Sequence, residues 1–408
     1  MQNKVNLPLA GINVLELGQI IAGPFCTRLM ADLGATVFKI EPPGKGDPIR
    51  TWGKSNNGST AWWSIHARNK KSLTLNLKHE KSREIVLKLA AESDIIVENN
   101  KPGQLEKWGI GPEVLKTVNP GGILVRISGY GQDGPKKDRP AFGVIGESMG
   151  GLRYLTNQAQ GVADHLPPVR VGVSIGDSLA AMYGAMGALA ALRKRDVQTE
   201  KEFQVLDVSL SESVLSIMEG CLPEFGMFNT VRQPTGSALP SCAPTNAYPT
   251  SDDQFILIAA NSDPLFANLC RAMGKAELAQ DSRYITNPER VKRMSELDGI
   301  IGDWTKQHSL DDLEKILDQA PVPASRVFTM EDIAKDEQYR FRKMVDEIDD
   351  PIHGKVLHYG VIPKFEGIDR REMIRWTGPE IGKHTHEILK HLGYREQQIQ
   401  DLATEGVI

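Results

Sequence analysis

Four cysteines in 408 residues, Cys26, Cys221, Cys242 and Cys270, are too few and too scattered for a disulfide scaffold, and no two of them form a CxxC metal pair. Neither sign of charge dominates. Lys and Arg number 48 against 52 Asp and Glu, a net of -4, so there is no general electrostatic pull toward nucleic acid and any anionic ligand must be held by a local cluster. Long apolar runs are missing: the longest uncharged one, Ser178 to Leu192, is shorter than the ~20 residues of a membrane span. The N-terminal stretch MQNKVNLPLAGINVLEL breaks its apolar content with Pro8, Asn13 and Glu16, which denies it the h-region and cleavage site of a signal peptide. No repeat or low-complexity tract occurs. These absences set the expectation of a soluble cytoplasmic protein with no membrane or nucleic-acid partner. A composition 40% hydrophobic and 25% charged is nonetheless that of a folded chain, long enough for two or three domains at ~150 residues each.

Common cofactor signatures are absent as well. GQIIAGP holds Gly18 and Gly23 without the G-x-G-x-x-G spacing that lets a backbone approach a pyrophosphate, and no G-x-x-x-x-G-K-[ST] run exists. His384 and His386 fall on different helix faces, and His353 has no carboxylate at ligand spacing, so no metal site is expected.

What is present is alternation of strand and helix. Ile12–Leu17, Thr36–Ile40, Asp94–Val97 and Ile123–Ser128 read as buried strands by length and β-branched content. GPFCTRLMADLGA reads as a helix entered at Pro24 and left at Gly34, and His79–Glu92 as another. That pattern predicts a parallel sheet covered on both faces. Ser178–Arg195, rich in Ala and Leu and ending in RKR, reads as a well-packed helix. From Leu222 to Ser241 Pro, Gly, Asn and Ser break the pattern. Beyond it QFILIAAN reads as a strand, LFANLCRAMG and ELDGIIGDWTKQ as helices, KVLHYGVIPKF as a sheet-edge strand and HTHEILKHLG as a helix.

The segment PPVRVGVSIGDSLAAMYG concentrates the candidate chemistry. Val169, Val171 and Val173 alternate as a strand would, and a helix follows. Gly172–Gly176 matches the G-x-S-x-G elbow of serine hydrolases, with Ser174 as nucleophile, although no HGGG-type oxyanion segment lies upstream. Asp177, immediately before the helix, reads as an N-cap; the same helix end stabilises a carboxylate that could itself act as a nucleophile. Basic residues and amides recur where the early strands end: Arg68-Asn69-Lys70-Lys71, Asn76 with Lys78, Asn99-Asn100-Lys101, and Lys107. Each lysine alone suits a solvated surface; together, beyond the carboxyl ends of parallel strands, they suit a phosphate-bearing ligand.

LPLAGINVLELGQIIAGPFCTRLMADLGATVFKIEPPGKGDPIR, RNKKSLTLNLK, IIVENNKPGQLEKWGIG, ISGYGQDGP, IGDSLAAMYG and PEIGKHTHEIL, in this order, closely resemble the class III CoA-transferases, the CaiB/BaiF or formyl-CoA transferase family. The resemblance implies an α/β fold: a large Rossmann-like domain of residues 1–222 and 330–408, an inserted smaller α+β domain of 223–329, and an interlocked homodimer. It implies an acyl-CoA:carboxylate CoA-transferase without prosthetic group or metal, with coenzyme A as substrate and a dicarboxylyl-CoA such as succinyl-CoA as donor. Asp177 falls at the nucleophile's position. Ile21 and Ala22 would lie beside the thioester, Asn76 and Lys78 at the nucleotide end, and Asn99, Asn100, Lys101 and Lys107 along the pantetheine and phosphates. After GPKKDRP the chain departs from the formyl-CoA enzymes, with Pro140-Ala141-Phe142-Gly143 in place of Lys-Ala-Tyr-Glu, which leaves Arg139 as the nearest cation. Racemases of the superfamily carry a proton-transferring histidine where this chain has Phe142, whose ring cannot accept a proton. A hydrolase or thioesterase using Ser174, an α-methylacyl-CoA racemase and a non-catalytic CoA-binding protein are the alternatives.

Overall fold

The computed structural model describes residues 7–56, 59–159, 161–162 and 165–408. Contacts divide the chain into two compact units: residues 1–153, 171–222 and 336–408, and residues 154–170 with 223–335. Two boundaries differ from those read in the sequence. Residues 154–170 belong to the second unit, and the chain re-enters the first at Asp336.

In the first unit, strands β1 (Asn13–Glu16), β2 (Thr36–Glu41), β3 (Lys70–Thr74), β4 (Ile95–Glu98), β5 (Ile123–Ser128) and β6 (Gln204–Ser209) form one sheet in the order β3-β2-β1-β4-β5-β6. Every pairing is parallel. The connecting helices include α1 (Ala22–Asp32), α2 (Ala61–His66), α3 (Ser82–Ala91), α4 (Gly143–Met149), α5 (Ile175–Val197) and α6 (Leu210–Leu215). The order reverses between β1 and β4, and a crevice opens beyond the carboxyl ends of strands at such a switch point.

The second unit holds an antiparallel sheet, β9-β8-β7, of β7 (Thr245–Pro249), β8 (Phe255–Ala259) and β9 (Ala324–Arg326). Helices α7 (Asp263–Ala272), α8 (Met294–Thr305) and α9 (Leu310–Gln319) close its core around Ile256, Phe266, Leu297 and Leu313. Back in the first unit, β10 (Val345–Asp350) and β11 (Gly354–Tyr359) pair antiparallel, and helices α10 (Thr385–His391) and α11 (Glu396–Thr404) follow. The segment KVLHYG is therefore half of a separate two-stranded hairpin and not an edge of the main sheet.

Side-chain alternation along each strand serves two faces. Val14, Ile95, Val97, Ile123 and Val125 meet α1 and α5, whereas Leu15, Leu73, Ile96 and Leu124 meet α3, α10 and α11. The small residues of α5 bring it close to the sheet: a Cβ on Gly184 would stand 3.2 Å from Cys26 Sγ and 3.3 Å from Val125. Among the described residues α5 alone is long and apolar enough to cross a membrane, and half of its apolar window is buried in this core.

Three local expectations fail. Residues 167–174 form no strand, because Val169 and Val173 are exposed and have no neighbouring strand to pair with. Helix α5 starts at Ile175, ahead of Ser178, and the stretch after Leu222 opens as a helix, Cys221–Phe228, before becoming irregular.

Candidate active site

Parallel strands place their following loops on one edge. Ile21 and Ala22 follow β1, Asn76 and Lys78 follow β3, and Asn99, Asn100 and Lys101 follow β4, with Lys107 closing the short helix Gln104–Lys107. Arg139 lies in the loop after β5. Because α5 connects two neighbouring parallel strands it runs back against them, so its first turn, with Asp177, returns to the same edge. The residues chosen from the sequence thus share the carboxyl side of one sheet.

The loops on this edge are held from beneath. Asn99 accepts the Gln19 N–H at 2.8 Å and donates to the Gln19 carbonyl at 3.0 Å, tying the end of β4 to the turn after β1. Gly18 and Gly23 lie against that amide, where a Cβ would meet Asn99 Oδ1 at 2.6 and 2.9 Å. Asn100 donates its N–H to Glu98 Oε2 at 2.7 Å, and Arg126 of β5 holds the other Glu98 oxygen at 2.9 Å. Burial pushes the Glu98 carboxyl up, against the lowering effect of Arg126 and Asn100.

A second layer of charge lies deeper. Glu16, at the end of β1, accepts from Lys39 and Lys70, each at 2.8 Å, and from Thr27 at 2.6 Å. Lys39 also pairs with Asp47 at 2.8 Å, and Lys70 donates to the Pro24 carbonyl at 2.7 Å. Burial would raise the Glu16 carboxyl, but the two ammonium groups hold it down at about 2. Lys39, with two carboxylates, is raised despite burial, whereas for Lys70, with one, burial wins and lowers it to about 8.

The reading of Arg68-Asn69-Lys70-Lys71 as phosphate ligands beyond a strand's carboxyl end is corrected: these residues precede and open β3, at its amino end, and their charge is spent within the fold. Arg68 is buried and forked onto Asp32 at 2.8 and 2.6 Å, Asn69 donates to the same carboxylate, and Lys71 pairs with Glu387. By contrast, Lys78, Lys101, Lys107 and Arg139 are exposed, and among the described residues none of them pairs with a carboxylate. These four leave their charge unneutralised on the edge, as do Lys136 and Lys137 in the same loop as Arg139.

Asp177 is not the N-cap. Ser174 occupies that position without a side-chain cap bond, and Asp177 stands three residues on, in the first turn of a 23-residue helix whose positive end favours its anion. Its carboxylate lodges against the start of α4: a Cβ on Gly143 would sit 2.1 Å from Asp177 Oδ2, and one on Gly176 would sit 2.5 Å from the Gly143 carbonyl oxygen. Two glycines therefore create the seat of this carboxylate. Gly143 was missed as a site residue; the sequence signal was a glycine where the formyl-CoA enzymes carry an acid.

Ser174 lacks the strand and strained turn of a hydrolase elbow, since its φ is -80° and no strand precedes it. It lines a cavity of about 860 Å³ whose walls are mostly apolar, among them Phe25, Trp62, Met182, Met186 and Ile362. His66 borders the same cavity, stacked on Trp62, and burial followed by nearby Arg28 lowers its imidazole to about 3. Among the described residues no group of three or more His, Cys, Asp or Glu side chains is placed to hold a metal ion.

Comparison with known proteins identifies the family. Residues 9–385 match the family model described as CoA-transferase family III. The chain is 43% identical over 407 residues to the succinyl-CoA–D-citramalate CoA-transferase of Chloroflexus aurantiacus, covering 98% of each chain. It is 32% identical to the human succinyl-CoA:glutarate CoA-transferase, covering 98% of this chain and 90% of that one. The crystal structure of a CaiB/BaiF family protein from Brucella suis superposes with a TM-score of 0.82 at 32% identity, over 95% of this chain and all of that one. With its six-stranded parallel sheet and full-length match, the chain belongs to CoA-transferase family III and is a CoA-transferase.

Proposed function

We propose that the enzyme moves CoA from succinyl-CoA to a second small dicarboxylate, with Asp177 as the covalent nucleophile. The observation that carries this reading is the seat of Asp177: a carboxylate at a long helix's N-terminal turn, on the sheet edge that bears the unpaired cations. The names of the relatives, which act with succinyl-CoA on D-citramalate or glutarate, support the substrate class.

The Asp177 carboxylate attacks the thioester carbonyl, the C–S bond breaks, and a mixed aspartyl anhydride forms with CoA thiolate released. The thiolate attacks the aspartyl carbonyl, which frees succinate and leaves an aspartyl-CoA thioester. The acceptor carboxylate attacks that carbonyl, giving a new anhydride and thiolate. Attack of the thiolate on the acceptor's acyl carbon then yields the new acyl-CoA and restores Asp177. Each step exchanges one activated acyl group for another, so positioning and exclusion of water matter more than proton transfer. Ile21 and Ala22 flank the thioester, Asn100 and Lys101 follow the pantetheine, and Lys78, Lys107 and Arg139 meet the phosphates.

The working form is an interlocked homodimer in the cytoplasm. Supporting it, α5 presents Met182 and Met186 to solvent beside exposed Val173 and Ile362, an apolar face that a second chain would cover. Light scattering of the purified protein should give twice the chain mass.

The decisive experiment compares Asp177→Ala with Ser174→Ala in CoA exchange between succinyl-CoA and a panel of dicarboxylates. Loss of the nucleophile should remove exchange by at least about a thousandfold in a folded protein. Substantial exchange by folded Asp177→Ala would sink the mechanism, and inactivity of the Ser174 variant alone would move the chemistry to a serine.

A further inference from the structure

The turn after β1 contains a conformation that its own sequence does not favour. Ile20 has a φ of +70°, in the left-handed region that β-branched residues avoid and occupy only when their surroundings impose it. The imposing group is Asp47, whose side chain is 1% exposed. Its carboxylate accepts the Ile20 N–H at 3.1 and 3.2 Å and the Ile49 N–H at 2.9 Å while pairing with Lys39. Lys39 in turn donates to the Gly18 carbonyl at 3.0 Å, and Asn99 holds both main-chain groups of Gln19. Gly18, Gln19 and Ile20 are thus each bound through the main chain to side chains outside the turn.

A turn that required only a positive φ would be met by glycine. An isoleucine forced into that conformation by a buried charge keeps both the backbone shape and a side chain that packs on Ile21, Ile49 and Trp63. We propose that Asp47 is a positioning residue for CoA transfer: by holding Ile20 left-handed, it fixes Ile21 and Ala22 as the rigid wall against which the thioester is presented to the nucleophile. The inference rests on the reading of this turn as the thioester wall. It adds a residue that touches no reacting atom and acts through the main chain of Ile20.

The test is a double-variant cycle on the full-length enzyme, with kcat and KM for succinyl-CoA read beside thermal unfolding. Asp47→Asn should lower kcat about 10- to 100-fold with KM changed less than about threefold, because a misplaced wall costs reaction geometry more than affinity. In an Ile20→Gly background the same substitution should cost only a few-fold relative to Ile20→Gly alone, since glycine adopts the conformation unaided. Equal kcat losses in both backgrounds, or lower thermal stability with unchanged kcat in the folded protein, would overturn the proposal. Should Asp47→Asn fail to fold, Asp47→Glu keeps the charge for Lys39 while moving the oxygens from the Ile20 N–H; it should show the same kcat loss, and a wild-type kcat would overturn the proposal. Wild-type enzyme that exchanges CoA with no dicarboxylate would instead overturn the functional reading.

Discussion

Two sets of cations accompany the sheet and differ in what neutralises them. Lys39 of β2, Lys70 at the start of β3 and Arg68 just before it are each held by a buried carboxylate; Lys78, Lys101, Lys107 and Arg139 are exposed, and among the described residues none of them has one. The inner set spends its charge on Glu16, Asp47 and Asp32 and gives shape to the loops. The outer set leaves its charge open, as the proposed contacts to CoA require. Proximity to a strand end does not tell a binding cation from a structural one, but the presence of a carboxylate partner does.

The sharpest way to break this comparison is to unbalance the inner set. Glu16→Gln leaves Lys39 and Lys70 sharing less negative charge in a fully buried site, and should cost about 3–5 kcal/mol in denaturant unfolding. A cost below ~1 kcal/mol would mean that the inner layer does not shape the edge.

Acid should act on the interior and spare the rim. Burial and then the nearby arginines hold His66 and His358 at about 3 and about 4, below the value of 6.5 they regain on unfolding. The unfolded chain therefore binds more protons below pH 6.5, so stability is complete above that value and falls as the pH drops. The slope is ~1.4 kcal/mol per pH unit for each histidine, ending near pH 4 for His358 and near pH 3 for His66. Glu16 adds its own loss only below 4.5, where the unfolded carboxyl takes up a proton. Unfolding followed between pH 8 and 4 checks the sign, and a flat profile would contradict the burial of both rings.

Rim substitutions should behave in the opposite way. Lys101→Ala or Arg139→Ala should weaken CoA binding by up to about fivefold each, an effect that shrinks as salt rises, with folding stability within ~0.5 kcal/mol of wild type. Calorimetric titration with CoA at two ionic strengths measures this. The smallest effect belongs to Ser174→Ala, which removes a hydroxyl that makes no cap bond and should leave both exchange and stability near wild type.

Periodicity made four of the six strands of the large sheet legible and hid two for physical reasons. In β3, KKSLT, the inward Lys70 and Ser72 are satisfied by Glu16 and Glu41, and an apolar pattern cannot register a charge buried with its partner. The edge strand β6 exposes alternate residues and so lacks a continuous apolar run. At the site, Asp177 was legible as a carboxylate at a helix start, but the N-cap position read for it belongs to Ser174, because the helix begins at Ile175. Gly143 left only the mark of a glycine in place of an acid, because it matters through the absence of a Cβ, and Asp47 was out of reach, because it matters through a main-chain N–H far from it in sequence.

The course of the chain through the first unit also bears on the order of its synthesis. Every residue proposed for chemistry has been made by position 177, but one face of the sheet that carries them is covered by Ile388, Leu389, Ile399 and Leu402. A ribosome that has just completed α5 holds a chain with all its proposed reactive groups and a stripe of Leu15, Leu73, Ile96 and Leu124 covered only in part, by α3. More than half the protein, including the second unit, must be translated before that stripe is sealed. During synthesis this face of the sheet therefore stays partly open from the making of the proposed site until α10 and α11 arrive.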